Sequence, residues 1–459
     1  MRLYLINYAV EGIKTLDHRV SLSFYKKTIS SNLDIQNYNI KGIYGMNGSG
    51  KSGIISSVDI LKNLLINPEY LNNPIVQNNL DEIINKKIKR LSIEAEFIVD
   101  YHPTMIYRYS ITLKKDTTEK YEISYEELTV RRTRATVNPT ETIFKIENGE
   151  VQQIKRNGED AILDKMLLKT TNLLSRNPIC TLFPKTVLGE LVNEFKNDNR
   201  QKLGDLFSGL VLLGVFGSRL HVYLDESDNH SKYLISKSFD RFDNLENKSA
   251  SLNDMIGFWD KIDNDYLNII SVSGNSVSKK AYSIYEDTVA NLCEFLQIFK
   301  PDLKDIEIDK KENGDWYVCN LIMVYDDFKI HSEFESTGIK KLIKLFAYLR
   351  EMVQGGIVFI DELDSNLHDV YLCALLEYLM EYGKGQLCFT THNVGPMDVL
   401  KHHKKSIEFL SANHKIYSWT TSGNYSPSKL YKNGMIEGSP FNIDFTDFIG
   451  ILDSGEGND

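Results

Sequence analysis

Gly45-Met46-Asn47-Gly48-Ser49-Gly50-Lys51-Ser52 fills every fixed position of the pattern G-x-x-x-x-G-K-[ST]. Its flanks suit it. Asn39 to Tyr44 is a short β-type run, and downstream Ile54, Ile55, Val58, Ile60, Leu61 and Leu64 recur at helical spacing until Pro68 helps to end the helix. A glycine turn between strand and helix lets successive backbone N–H groups converge on phosphate oxygens. The helix start adds positive potential. Gly45, Asn47, Gly48, Ser49 and Gly50 form the cradle. Lys51 is placed to follow the β- and γ-phosphates of a nucleotide, and the Ser52 hydroxyl to hold Mg²⁺. A chance glycine-rich turn is the plainer alternative, and it leaves the strand and helix on either side unexplained.

Far downstream, Gly356-Ile357-Val358-Phe359-Ile360-Asp361-Glu362 is an apolar run ending in two acids. So short a run suits a buried central strand, whose C-terminal end faces the ligand crevice of an α/β sheet. In that place Asp361 joins the Mg²⁺ sphere and Glu362 polarises a water as general base. Two solvated acids capping a strand would look the same in isolation; the complete phosphate loop upstream favours the chemical role. Just before this run, Phe334-Glu335-Ser336-Thr337-Gly338-Ile339-Lys340-Lys341-Leu342 opens a helix, with Ser336 as N-cap and Gly338 leaving the backbone open. Such a start can offer N–H groups to a phosphate, although an ordinary capped helix reads the same way.

Together these residues resemble the SMC, RecF and OLD-type branch of the ABC ATPases. The Glu-Ser-x-Gly-x-x-x-Leu stretch from Glu335 to Leu342 is similar to that branch's degenerate signature motif. Leu363-Asp364-Ser365-Asn366-Leu367-His368 resembles its D-loop, and His392, in Thr391-His392-Asn393 after the apolar run Gln386 to Thr390, falls where the branch carries its switch histidine. The order of parts also matches: phosphate loop, β-rich lobe, helical insert, signature helix, acidic strand, D-loop, histidine. The likeness covers both ends of the chain and thins between about residues 115 and 315. Within the branch it is nearest to compact ATPases of bacterial phage-defence operons, such as those of the PARIS and Septu systems. Two positions depart from the pattern: no glutamine stands out as a Q-loop residue, and Thr337 sits where many relatives carry Gly or Asp. The Toprim nuclease domain of OLD proteins is not expected here, since only 66 residues of this sequence follow Asn393.

The resemblance implies an α/β fold, a P-loop ABC-type ATPase head with a β-rich lobe and a mainly helical insert. The head is expected to be split between residues 1–114 and 316–459, with the lobe and insert across 115–315. It implies ATP and Mg²⁺ as cofactors, with Glu362 and His392 in catalysis. Ser336, Gly338 and Asp364 complete the nucleotide site, the signature reaching the nucleotide of a second copy in a homodimer or higher homo-oligomer. The expected role is a sensor or switch that hydrolyses ATP and controls a separate effector, a nuclease or toxin, in anti-phage defence. Two alternatives stand beside it: a DNA-repair or chromosome ATPase, and a scaffold clamped by ATP with incidental hydrolysis.

Composition is consistent with a globular chain. The sequence has 459 residues, 42% of them hydrophobic and 25% charged, enough for a sizeable core and two or three structural units. Met1-Arg2-Leu3-Tyr4 does not open a secretory signal, and the five scattered cysteines form neither a CxxC pair nor a disulfide framework, so a reducing cytoplasm is expected. The longest uncharged apolar stretch, Leu206 to Ser218, is too short for a membrane span and reads as a buried helix. A net charge of −10 argues against nucleic acid binding by the whole surface. Arg131-Arg132-Thr133-Arg134 and Lys86-Lys87-Ile88-Lys89-Arg90 are the local candidates for it, against the usual reading of charge runs as solvated faces. His402-His403-Lys404-Lys405 reads as a basic surface face, and Tyr8 and Tyr25 as either adenine-stacking or core residues.

Overall fold

Five parallel strands and one antiparallel edge strand form the sheet that carries the phosphate loop. In the computed structural model the strands are β1 (Leu3–Glu11), β2 (Val20–Ser23), β3 (Ile40–Gly45), β4 (Arg90–Val99), β5 (Met105–Lys115), β6 (Tyr121–Arg132), β7 (Glu141–Glu147), β8 (Glu150–Ile154), β9 (Leu220–Tyr223), β10 (Asn275–Ser278), β11 (Asp305–Asn313), β12 (Trp316–Val324), β13 (Lys329–His331), β14 (Ile357–Ile360), β15 (Gln386–Thr390), β16 (Ile407–Leu410) and β17 (Ile416–Ser418). The helices are α1 (Lys51–Ile66), α2 (Pro74–Ile83), α3 (Ala161–Thr170), α4 (Gly204–Arg219), α5 (Tyr282–Phe299), α6 (Thr337–Gln354), α7 (Asp369–Tyr382), α8 (Gly395–Leu400) and α9 (Pro427–Lys432). The structure describes residues 3–26, 29, 33–99, 105–133, 140–156, 161–182, 204–224, 269–420 and 425–439. Arg134 lies outside them.

The central sheet has the order β17-β16-β3-β15-β14-β9, with only β17 antiparallel. Strands β3, β9, β14, β15 and β16 are buried along their whole length. This is why they read as apolar runs rather than alternating ones: both faces are covered. Successive residues of β14 serve the two faces in turn. Ile357 and Phe359 join the core under α1, while Val358 and Ile360 join the core under α6, α7 and α8.

A seven-stranded antiparallel sheet, β2-β1-β4-β5-β6-β7-β8, packs over the far side of α1 and shares its core with α1 and α4. Leu91 to Val99 and Ile106 to Ile111 alternate buried and less buried residues over much of their length and lie in β4 and β5 of this lobe. Leu206 to Ser218 is the buried helix α4, as its composition suggested. A third, small sheet of β10, β12, β11 and β13 packs with α5 against the start of α6.

One local expectation is corrected. The insert within 115–315, expected to be mainly helical, contains β9, a strand of the central sheet paired in parallel with β14. Its sequence, Leu220-His221-Val222-Tyr223, follows α4 with no turn residue between, so helix and strand merge in the pattern. Ahead of α6 the short strand β13 is followed by a single 3-10 turn, Ser332–Phe334. No helix among the described residues is long and apolar enough to cross a membrane.

Candidate functional site

The phosphate loop leaves the C-terminal end of β3, between β15 and β16, and enters α1. The turn needs glycine most clearly at Gly50. Its φ is +105°, and a Cβ there would lie 2.4 Å from the Leu16 side chain. Gly50 offers no side-chain cap, so the first N–H groups of α1 have no intrahelical acceptor and face the loop. Lys51 is 6% exposed, and its ammonium donates to the carbonyls of Gly45 (2.8 Å) and Met46 (3.0 Å). Burial pushes it down to about 8, against the opposing pull of Asp361, Glu362 and Asp364.

A cavity of about 660 Å³ lies over this loop. Residues 47–53 line it, with Lys14, Thr15, Glu362, Thr390 and His392. Thus the structure brings Asn47, Gly48, Ser49, Gly50, Lys51, Ser52, Glu362 and His392 to one place, from three separate strand ends. Gly45 closes β3 beneath the cavity and acts through its carbonyl.

Asp361 and Glu362 follow β14 directly. The Thr390 hydroxyl, at the end of neighbouring β15, joins them: it accepts the Glu362 N–H (2.8 Å) and donates to the Asp361 carboxylate. The Asp361 N–H donates to the Tyr223 carbonyl (3.0 Å), which fixes the acid from the β9 side. Glu362 has a left-handed φ of +49°, a strained conformation for a residue with a side chain. It turns the chain out of the sheet and leaves the Glu362 side chain on the cavity wall. Ser52 and Asp361 offer hard oxygen donors, the donor chemistry that Mg²⁺ takes.

Ser336, Gly338 and Asp364 do not line this cavity, and neither does Asp361, which stands behind Glu362 on the Thr390 hydroxyl. Ser336 caps α6 as expected, accepting the Ile339 N–H (3.4 Å). Gly338 packs on the loop after the acids: a Cβ there would meet the Asn366 carbonyl at 2.6 Å. The Thr337 hydroxyl donates to the Asn366 side chain at 3.3 Å. The Asp364 Oδ1 is buried without a hydrogen-bond partner among the described residues.

Lys14, Thr15 and Thr390 were missed in the sequence. Lys14 and Thr15 come from the turn between β1 and β2, and Thr15 donates to the Gly48 carbonyl (3.3 Å). No local motif marks them. Thr390 stood one residue from Thr391-His392, and its position at a strand end was the available signal.

The aromatic candidates resolve to core. Tyr8 is buried with its hydroxyl against Ser57 (2.7 Å), and Tyr25 is buried against Tyr38. In the basic runs, Arg131 meets Glu96 (3.4 Å), Lys86 meets Asp81 (3.6 Å), Lys87 meets Asp17 (2.5 Å) and Arg90 meets Glu11 (3.3 Å). In the other basic stretch His402 and Lys404 are exposed, while Lys405 is half-buried and donates to the Ser23 hydroxyl (3.0 Å). Among the described residues one group has metal-ligand spacing, Asp17, His18 and His414. Both histidines already share one Asp17 oxygen and Lys87 holds the other, so the carboxylate is satisfied within the chain.

These features define a phosphate-loop α/β sheet with an antiparallel β-rich lobe packed beside it. Residues 323–398, from the end of β12 into α8, match the family described as "AAA domain, putative AbiEii toxin, Type IV TA system". The segment contains α6, Asp361, Glu362 and His392. No curated protein matches the chain. Among solved structures, the chain is similar to the recombination mediator protein RecF of the RecFOR pathway with ATPrS, at 11% identity and a TM-score of 0.38, over 91% of this chain and 99% of that one. It is also similar to RecF with ATP, at 12% identity and a TM-score of 0.36, over 91% and 98% of the two chains.

Proposed function

We propose that the protein binds ATP with Mg²⁺ in the cavity over the phosphate loop and hydrolyses it, as a switch that acts on a separate effector protein. The observation that carries this reading is the convergence of the loop, Glu362, Thr390 and His392 on one cavity. The backbone N–H groups of the loop and Lys51 hold the phosphates. Ser52 and Asp361 would hold Mg²⁺, which when bound neutralises phosphate charge. Glu362 accepts the proton of the attacking water, and His392 stands at the same wall to contact the terminal phosphate.

The second half of the site comes from another copy. Ser336 and Gly338 lie off their own chain's cavity, at a helix start that offers N–H donors. A two-fold dimer sets each helix start against the γ-phosphate held by the partner. ADP lacks that phosphate and holds the dimer less firmly, which makes the assembly a switch. The effector we assign to it is a nuclease or toxin, in anti-phage defence. Support comes from the match to a family whose description names a putative toxin of a toxin–antitoxin system. A DNA-repair role is the second reading: the two basic runs keep Lys89 and Arg132 exposed, while Arg131, Lys86, Lys87 and Arg90 stand in surface ion pairs.

The test mixes two inactive variants, Lys51→Ala and Ser336→Arg. A mixed dimer regains one intact loop facing one intact signature. With random exchange, about a quarter of wild-type ATPase activity should return if the sites work independently. Subunit exchange without any recovery, or full activity of Ser336→Arg alone, contradicts the shared site.

A further inference from the structure

Lys341 is a lysine where α6 otherwise packs apolar side chains. Its neighbours in the helix, Leu342, Ile343 and Leu345, are core residues, and Lys341 itself is 4% exposed. Burying an ammonium is unfavourable unless hydrogen bonds satisfy it. Its acceptors here are specific: the Glu362 main-chain carbonyl at 2.5 Å and the Ser365 hydroxyl. The Tyr223 ring lies beside it, 5.9 Å from ammonium to ring centre.

The Glu362 carbonyl has a second donor, the Ser365 N–H at 3.0 Å, and the Glu362 N–H is held by Thr390. The residue is thus gripped on both sides of a left-handed φ. Such a conformation is unfavourable at a non-glycine residue and persists only where its surroundings over-determine it. Of these holds, Lys341 alone comes from α6, the helix whose first turn carries Ser336 and Gly338. That first turn also touches the same loop at Asn366. The helix start and the acid are therefore tied at two points, one of them a buried cation.

We propose that Lys341 is a positioning residue: it fixes the Glu362 peptide so that the carboxylate faces the cavity, and it couples that orientation to the placement of the α6 helix start. A partner's nucleotide that draws on the helix start shifts Lys341 and, through it, the general base. The inference rests on the reading of Glu362 as base in ATP hydrolysis.

The experiment is a double-mutant cycle on the full chain, measuring ATP turnover, KM and thermal melting for Lys341→Met, Glu362→Gln and the pair. A misplaced base slows chemistry by up to about 100-fold without changing ground-state binding. Lys341→Met should lower kcat by about 10- to 100-fold, with KM within about threefold. Lys341→Arg, which keeps a charged donor, should recover part of the loss. In the Glu362→Gln background Lys341→Met should change the residual turnover less than twofold, because there is no base left to position. A wild-type kcat in Lys341→Met, or an equal loss in both backgrounds, overturns the inference while leaving Glu362 in its role. Wild-type turnover in Glu362→Gln overturns both. Should Lys341→Met fail to fold, Lys341→Gln, with a neutral polar head, carries the same cycle and the same outcomes.

Discussion

Nucleotide affinity should depend on pH through Lys51. In the empty loop its ammonium is buried against two carbonyls and sits at about 8, well below the ordinary lysine value. About nine-tenths of the chains then carry a charged Lys51 at pH 7, half at pH 8 and a tenth at pH 9. A γ-phosphate beside Nζ favours the charged form and raises its pKa in the complex. The sign follows: above pH 8 binding takes up a proton, so affinity falls as pH rises. From pH 7 to pH 9 the Kd for ATP should rise about tenfold. Excess Mg²⁺ in the titration keeps ATP as its fully ionised complex over that range, so the protein supplies the dependence. The assay is calorimetric titration in two buffers of different ionisation heat, which also counts the proton, about half of one at pH 8. Lys51→Arg keeps its charge at every pH used and should lose the slope, whatever its own affinity. A Kd for ATP that stays flat from pH 7 to pH 9, with no proton uptake, would show that Lys51 is charged in the empty loop and that burial does not govern it.

Thr390→Val keeps the shape of the side chain but removes the hydroxyl between Glu362 and Asp361. Denaturant unfolding should register a loss of about 1–3 kcal/mol, and turnover should fall with it. In the β-rich lobe, burial raises the Glu126 carboxyl to about 7, although it accepts hydrogen bonds from Tyr109 and the Ile179 N–H. With its folded value above the unfolded one, its stabilising contribution is present below about pH 4.5 and is lost as pH rises through about 7. The stability of wild type relative to Glu126→Gln should therefore drop by roughly 2–3 kcal/mol between pH 5 and pH 8, measured by denaturant unfolding at each pH.

How much of this could be read in the sequence depended on whether a feature is local. The phosphate loop could, because its glycines, lysine and serine all act within one strand-turn-helix. Asp361 and Glu362 could, because a four-residue strand buried on both faces is a plain apolar run that stops at the acids. The N-cap at Ser336 was equally local. Strand β9 was hidden: four residues after an apolar helix carry no period of their own, and only pairing with distant β14 makes them a strand. Lys341 sits in a Lys-Lys pair that reads as helix surface, and only the return of the chain through Glu362 buries it. Lys14 and Thr15 join the cavity because the β1–β2 turn folds over the loop, a contact no spacing encodes. Tyr8 and Tyr25 show the converse, since an aromatic near a nucleotide motif can equally be the core beneath it.

Glu362 is the residue on which the function turns, and replacing it by Gln separates holding ATP from cleaving it. The measurement is a pair of numbers on purified Glu362→Gln protein: the Kd for ATP and the turnover rate. The expected result is a Kd close to wild type with turnover lower by about 100-fold or more, the usual share of general base catalysis. Unchanged turnover would contradict the assignment and move the base to His392 or Asp364.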